Sequence, residues 1–211
     1  MTNLSECIKK SLPIIEPNVV VGEGLDEKNF FDCFIEHVGL TGIEVRGIGG
    51  KTQLEENLRT LKITTGFNKV RTLGVTRDAD DDYAGAFASV QNALTNVGLA
   101  VPREPLTLVG RNPRILVLIL PRPNQNGMLE DLCLEAVQGD PAMPCVDTFF
   151  GCIEANVPIQ PRNLSKAKVH AFLSTRIEEA SRLGLAAKKK YWPFNSGVFD
   201  VIREFLEIIL S

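Results

Sequence analysis

The fold is decided by residues 18–27, NVVVGEGLDE. Three valines run into a glycine, Glu23 and a second glycine, and Asp26 and Glu27 follow directly. A short apolar run that is bounded by glycine is typical of a buried strand. In open α/β folds, ligands bind at the carboxyl ends of the strands. The stretch therefore predicts a strand that brings the Glu23 carboxylate to the ligand-binding edge of a sheet.

A second stretch, residues 70–82 (VRTLGVTRDADDD), has the same arrangement, because an apolar run again ends in acids. Asp78 and Asp80 are two residues apart, so their side chains face the same side of an extended segment. A single acid after a strand is usually explained as a helix cap, where the helix dipole favours negative charge. Glu23 lies between two glycines and is poorly explained in that way. The three acids together therefore predict a shared site.

The order of the predicted elements indicates the fold class. The first half predicts strands at 18–22, 43–46 and 70–76, and helices that end at Gly39 and span 52–63 and 84–97. This β-α-β-α-β-α order is typical of a parallel sheet with crossover helices. The second half predicts a hairpin of strands 106–109 and 114–120 at a sheet edge, and helices at 128–137, from Asp147 to before Pro158, at 165–182 and at 195–210. We predict an α/β fold with a mainly parallel central sheet, helices on both faces and a helical C-terminal extension.

Composition limits the classes of function. The 211 residues carry a net charge of −3, so no global basic field recruits nucleic acid, and binding must use a local patch. No apolar run reaches the length of a membrane span. The N-terminus lacks the features of a secretory signal, and none of the cysteines forms a C-x-x-C pair. We expect a cytoplasmic protein with reduced thiols and no membrane association.

The acids suit a metal ion. Clusters of carboxylate oxygens are the ligands that Mg²⁺ prefers in proteins. Glu27 follows Glu23 by four residues and is a better metal candidate than Asp26, which is placed to cap the next helix. Glu130 and Asp131 lie beside the start of a later predicted helix.

Taken in order, these motifs resemble the Toprim domain of topoisomerases, primases and nucleases of the overcoming-lysogenization-defect family. The resemblance rests on Val-Val-Val-Gly-Glu-Gly, a Gly-rich turn and a strand that ends in Asp-Ala-Asp, and it covers about residues 17–135. It implies that Glu23, Asp78 and Asp80 bind Mg²⁺ or Mn²⁺ for phosphodiester chemistry. Resemblance to the nuclease branch adds Glu27, and also Glu130 in the segment GMLED.

The whole chain also resembles an uncharacterised Toprim-related family of stand-alone proteins. The sequence contains no internal repeat and no low-complexity linker, so we expect a single domain over residues 1–211, with the helical extension at about 147–211. Two departures from other branches matter. Tyr83 and Tyr191 are the only tyrosines, and neither is placed as a topoisomerase nucleophile. The ATPase motor of the long nucleases is also missing from the sequence.

The resemblance implies a Mg²⁺-dependent nuclease that acts on DNA or RNA, with a separately encoded ATPase as a partner. A lysine would support the scissile phosphate or the attacking water, and the candidates are Lys166, Lys168 and Lys51; each is otherwise a solvated surface charge. Two alternatives stay open. One is a non-catalytic interaction subunit of a defence or DNA-processing complex, and the other is a small-molecule phosphotransfer enzyme.

Two further segments allow two interpretations each. Residues 47–52 (GIGGKT) do not form a phosphate loop, since Val45 stands where that motif needs glycine. The segment is either a tight turn or a glycine-rich anion contact at a helix start. Lys188-Lys189-Lys190-Tyr191-Trp192 joins basic and aromatic residues. It is either a nucleic-acid contact or a solvated loop before a core anchor at Trp192 and Phe194.

Overall fold

The computed structural model describes residues 12–47, 49, 53–178 and 180–211. Its strands are β1 (Asn18–Gly22), β2 (Ile43–Gly47), β3 (Thr72–Asp78), β4 (Val109–Gly110) and β5 (Arg114–Leu120). Its α-helices are α1 (Leu25–Val38), α2 (Leu54–Ile63), α3 (Tyr83–Asn96), α4 (Leu129–Ala136), α5 (Met143–Asn156), α6 (Leu164–Leu173), α7 (Leu183–Lys188) and α8 (Asp200–Leu210). Short 3₁₀ turns lie at Phe67–Lys69 and Gly197–Phe199.

The strands form one mainly parallel sheet in the order β2-β1-β3-β5-β4. β1 pairs in parallel with β2 and β3, and β3 pairs in parallel with β5. β4 is antiparallel to β5, which confirms the predicted edge hairpin. β4 has only two residues rather than the predicted 106–109, because Leu106 has a φ of 58°, a left-handed value that a strand does not use.

Helices cover both faces of the sheet, and the predicted α/β fold class is confirmed. On one face, Leu73 and Val75 pack with the apolar residues of α2 and α3, including Leu58 and Leu94. On the other face, the core is shared by α1 and all the helices from α4 to α8. Side chains of a strand alternate between faces, and therefore Thr76 and Asp78 belong to the face that α1 and α4 cover.

The last helix, predicted over 195–210, starts at Asp200, because a 3₁₀ turn occupies Gly197–Phe199. Besides this helix and β4, three predicted boundaries are wrong. β3 runs from Thr72 to Asp78 rather than over 70–76, since the 3₁₀ turn occupies the residues just before it. The helix expected from Asp147 begins at Met143, because Pro144 fits a first helical turn, where no N–H donor is required.

The third wrong boundary is the helix predicted over 165–182. α6 ends at Leu173, and α7 begins separately at Leu183. Ser174 and Thr175 donate their hydroxyl protons to the carbonyls of His170 and Phe172, at 2.9 and 2.7 Å. These side-chain bonds satisfy carbonyls of the last helical turn and end the helix there.

The C-terminal helices are held to the sheet by aromatic and close-packed contacts. Trp192 is 2% exposed, stacks on Phe172 at 5.9 Å between ring centroids and donates Nε1 to the Leu183 carbonyl at 3.0 Å. Trp192 and Phe194 are both buried, which confirms the predicted core anchor. α8 crosses β3 so closely that a Cβ on Gly74 would lie 2.6 Å from Ile209 Cδ1.

Among the helices of the described residues, none combines the length and the apolar character that a membrane crossing requires.

Candidate metal site

The predicted acids meet at one edge of the sheet. β1 and β3 are neighbours and point the same way, with Val21 opposite Val75, so both end at the same edge. Glu23 follows β1 directly, and Asp78 is the last residue of β3. Glu27 lies in the first turn of α1, and Glu130 lies in the first turn of α4.

Glu27 is fixed by groups from both strands. Its Oε2 accepts a hydrogen bond from the backbone N–H of Glu23 at 2.6 Å, and its Oε1 is hydrogen-bonded to the hydroxyl of Thr76. The Thr76 hydroxyl also lies 3.2 Å from the Val21 carbonyl, which is a second acceptor for its one proton. Gly22 leaves room for this arrangement, because a Cβ there would lie 2.7 Å from Glu27 Cδ.

The pKa of Glu27 shows that a negative charge is unfavourable at this position. The pKa of Glu27 is raised from the ordinary 4.5 to about 7, chiefly by burial. The negative charges of Glu23 and Glu130 add to this rise, and the hydrogen bonds from Thr76 and from the Glu23 N–H offset part of it. A protonated carboxyl can donate to the Thr76 hydroxyl, and an ionised one can accept from it. The site therefore holds this side chain in both protonation states.

Asp78 and Glu130 are subject to the same effects of burial and neighbouring negative charge. Asp78 Oδ1 accepts the backbone N–H of Leu129 at 3.0 Å, at the start of α4. The pKa of Asp78 is well above its usual range, chiefly through burial and then through the charges of Glu27, Glu130 and Glu23. Burial also raises the pKa of Glu130. The charges of Glu23 and Glu130 thus oppose the ionisation of both Glu27 and Asp78.

Asp80 lies just beyond β3 in a left-handed conformation with a φ of 51°. Its N–H donates to the Gly127 carbonyl at 2.7 Å, and its carbonyl accepts the Gly127 N–H at 2.6 Å. Asn126 strengthens this bridge, since its amide bonds to the backbone of Tyr83 and Asp81 at 2.9 and 2.6 Å. The bridge fixes the backbone of Asp80 beside the α4 start, and Asp80 stays a predicted ligand.

The donor set suits a divalent cation of the Mg²⁺ type. Carboxylate oxygens are its preferred ligands, and a bound cation would relieve the repulsion that raises these pKa values. Among the described residues, no three Asp, Glu, His or Cys side chains stand close enough together to form a ready-made metal site. Two of the carboxylates are instead engaged with Thr76 and with the Leu129 N–H. Closing around an ion therefore requires side-chain rotation.

The candidate lysines have different surroundings. The Lys166 ammonium lies 3.8 Å from Glu130 Oε1, and its positive charge lowers the pKa of that acid against the effect of burial. The Lys168 ammonium forms a 2.7 Å ion pair with Asp147 of α5. Lys51, with most of the Gly-rich turn before it, lies outside the described residues. Lys166 is therefore the described candidate that the structure places next to the acids.

Two acids beside the cluster hold backbone in place. Asp131 accepts the Met128 N–H at 2.7 Å and the Ser165 hydroxyl at 2.5 Å, which ties the start of α4 to the start of α6. The expectation that Asp26 caps α1 is wrong. Its Oδ1 accepts the Gly184 N–H of α7 at 3.1 Å, and the N-cap residue Gly24 makes no side-chain cap.

Sequence reasoning missed Thr76 and Ser165. Thr76 had a usable signal, since it precedes Asp78 by two residues and so shares its face of the strand. Ser165 had none, because its partner Asp131 is 34 residues away along the chain.

Comparison with known proteins gives a family and a fold. The model of the family described as "Protein of unknown function (DUF3226)" matches residues 17–211. None of the curated proteins matches the chain. Among solved structures, the chain is similar to the C-terminal region of the Burkholderia pseudomallei OLD protein, with 16% identity, a TM-score of 0.54 and coverage of 93% of this chain and 98% of that chain. This likeness shows a shared fold.

The C-terminal region of the Xanthomonas campestris pv. campestris OLD protein also matches, with 18% identity, a TM-score of 0.41 and coverage of 92% of each chain.

Proposed function

Because this chain belongs to the family described as "Protein of unknown function (DUF3226)", we infer its function from its site, and we propose a metal-dependent nuclease that cleaves phosphodiester bonds in DNA or RNA. The observation that carries the proposal is the group of four carboxylates at one sheet edge, where burial and then the neighbouring negative charges raise the pKa of Glu27 and of Asp78. The motifs that resemble the Toprim domain fall on this group. The fold shared with the C-terminal region of the Burkholderia pseudomallei OLD protein agrees with it.

In this proposal, Glu23, Glu27, Asp78 and Glu130 hold Mg²⁺ or Mn²⁺, with Asp80 as a further ligand. When bound, the metal would polarise the phosphodiester and lower the pKa of an attacking water. Thr76 orients the Glu27 carboxylate through its hydroxyl. A separately encoded ATPase as a partner rests on the family resemblance alone.

Lys166 is proposed to bind the scissile phosphate. Its side chain is 53% exposed and its ammonium lies close to Glu130. The ammonium can therefore turn toward a substrate anion without leaving the site. An ammonium group aimed at a phosphate that gains charge stabilises the transition state. Lys168 is less suited to this role, since Asp147 already neutralises it.

The test is a cleavage assay on single-stranded and duplex DNA and on RNA, with Mg²⁺, with Mn²⁺ and with chelator. We expect metal-dependent cleavage by the wild type and its loss in Asp78→Asn and Glu23→Gln. Asp81→Asn is the matched control, because it removes the same charge from an exposed acid three residues after Asp78. Absence of cleavage on every substrate, or equal cleavage by Asp78→Asn and the wild type, would refute the proposal.

A further inference from the structure

The proposed site poses an electrostatic problem for its substrate. The chain carries a net charge of −3, and the site itself concentrates four carboxylates. A nucleic-acid strand is a polyanion, and its affinity for proteins comes largely from cations that neutralise its phosphates. A metal ion offsets charge only at the cleavage point. Cations elsewhere on the surface must therefore hold the rest of the strand.

α7 connects the acid cluster to the densest run of cations in the sequence. At its start, Gly184 packs against α1 so closely that a Cβ would lie 2.5 Å from the Asp26 carbonyl. Asp26 in turn is close enough to the acid cluster that its charge adds to the effect of burial in raising the pKa of Glu130. At its end, Lys188 is close enough to Cys33 of α1 that its positive charge lowers the pKa of that thiol against the larger raising effect of burial. The two helices therefore run side by side and in the same direction, away from the acids.

The lysines at the end of α7 differ in how they are engaged. Lys189 pairs with Glu178 at 2.5 Å. Lys188 and Lys190 are exposed, and neither forms an ion pair with a carboxylate of the residues that the structure describes. Lys190 has a φ of 59°, which turns the chain sharply after α7. The two ammonium groups are thus available to an anion from solvent.

A cleft of about 630 Å³ lies beside these lysines. Its lining includes Arg176, Glu178, Lys188, Lys189 and Tyr191. Its wall is firmly built: the Tyr191 hydroxyl donates to the Glu178 carbonyl at 3.0 Å, and Arg176 holds Asp140 through two bonds of 2.9 and 3.1 Å. Arg176 and Lys189 are already paired with Asp140 and Glu178. Bound phosphates would therefore be held by Lys188, which lines the cleft, and by Lys190 beside it.

We propose that a nucleic-acid strand at the acid cluster runs along α7 and is held through its backbone phosphates by Lys188 and Lys190. This inference rests on the proposed function, because the proposed cleavage site fixes where the strand begins its path along α7. Asp26 and Cys33 are seven residues apart on α1, a helical rise of about 10 Å. That distance corresponds to about three nucleotides of one strand. The surface therefore selects substrates that extend beyond the cleaved bond.

The experiment measures binding of fluorescent oligonucleotides by anisotropy, in chelator, so that cleavage plays no part. Lys188→Gln/Lys190→Gln is compared with Lys69→Gln/Arg71→Gln, which removes the same charge from exposed residues before β3, at the opposite edge of the sheet. We expect the first variant to weaken binding at least tenfold and to reduce the slope of log K against log salt by about 1.4 for single strands. The control variant should match the wild type.

Parallel titrations with single-stranded DNA, duplex DNA and RNA show which kind of nucleic acid these lysines bind. Thermal melting checks that each variant is folded. Equal losses in the two variants would overturn the inference, as would a wild type that binds none of the oligonucleotides.

The proposed function is tested separately with bis(p-nitrophenyl) phosphate, a phosphodiester too small to reach α7. If the Lys188→Gln/Lys190→Gln variant keeps metal-dependent hydrolysis of this compound but loses oligonucleotide binding, the inference is supported. If the wild type binds oligonucleotides through these lysines but never hydrolyses the compound or a nucleic acid, the nuclease assignment fails and the binding surface stands.

Discussion

The Glu27 carboxylate accepts the backbone N–H of Glu23 across 2.6 Å, so that the two acids nearest to β1 are held together by the chain itself. The contact forms because α1 starts only two residues after Glu23, and its first turn carries Glu27 back over the end of the strand. Glu27 is at once buried, near other carboxylates and hydrogen-bonded. Its protonation consequently links metal binding, stability and pH.

Metal affinity should rise with pH across neutrality. The pKa of Glu27 is about 7, and carboxylates must lose their protons to bind a cation. Competition from this one proton makes binding about tenfold weaker at pH 6 than at pH 8, and the raised pKa of Asp78 acts in the same direction. Calorimetric titration with Mn²⁺ at the two pH values measures the ratio. An affinity that is equal at both would contradict the pKa assigned to Glu27.

Without metal, Glu27 should destabilise the protein as pH rises. Its pKa is raised in the folded state, so the folded protein binds more protons than the unfolded chain between pH 4.5 and about 7, and stability falls as pH rises through that window. Glu27→Gln removes the effect. The free energy of unfolding of the variant relative to wild type should increase by about 2–3 kcal/mol from pH 4 to pH 8.

Denaturant unfolding in chelator at several pH values measures this difference. Adding Mn²⁺ at pH 8 should stabilise the wild type and not the variant. A relative stability that does not change with pH would show that Glu27 titrates normally.

Thr76 should act through Glu27. Thr76→Val keeps the shape of a buried side chain and removes the hydroxyl that bonds to Glu27. Loss of such an orienting partner typically weakens metal binding by about 10–100-fold. Thr76→Ser keeps the hydroxyl and should stay within a few-fold of the wild type. If both variants bind Mn²⁺ equally, the hydroxyl does not position the carboxylate.

Lys166 and Lys168 should differ in catalysis. Lys166→Met should lower kcat for phosphodiester cleavage by about 100-fold, as expected when a group that stabilises transition-state charge is lost. Lys168→Met should leave kcat nearly unchanged and cost at most about 1 kcal/mol of stability, because it removes only a partly exposed ion pair with Asp147. The comparison needs kcat and melting temperature for both variants. A larger catalytic loss in Lys168→Met would reverse the assignment.

Gly184 should tolerate no side chain. A Cβ there would meet the Asp26 carbonyl at 2.5 Å and Asn29 Cβ at 2.7 Å, so Gly184→Ala should cost about 1–3 kcal/mol by pushing α7 from α1. Gly151→Ala is the control: nothing lies within 4 Å of a Cβ at that position in α5, and the change should stabilise the helix by about 0.5–1 kcal/mol. Equal melting temperatures would mean that α7 shifts freely.

Local pattern was sufficient to predict the framework of the site. The valines of β1 and the apolar run of β3 are short and rich in β-branched residues, which favours buried strands over helices. Two parallel strands that each end in an acid bring Glu23 and Asp78 to one edge. The four-residue spacing of Glu23 and Glu27 placed the second acid one turn into α1. These inferences need only short-range geometry and the rule that crossover connections give parallel strands.

What the sequence could not predict depends on partners that are distant along the chain. Asp26 has the position of a helix cap, yet its carboxylate binds Gly184, 158 residues away. The break after Leu173 arises from hydroxyl groups that could equally have faced solvent within a longer helix. Tertiary contacts decide such cases, and a one-dimensional pattern carries no record of them.

The contact of Gly74 with α8 also governs the order in which the molecule can be assembled. β3 leaves the ribosome long before Phe205 and Ile209 do, and the apolar surface over Gly74 has no other cover in the described residues that lies so close. Until α8 is synthesised, the nascent chain presents that surface to chaperones and to neighbouring chains. The strand that carries Asp78 can therefore complete its packing only after α8 has been synthesised.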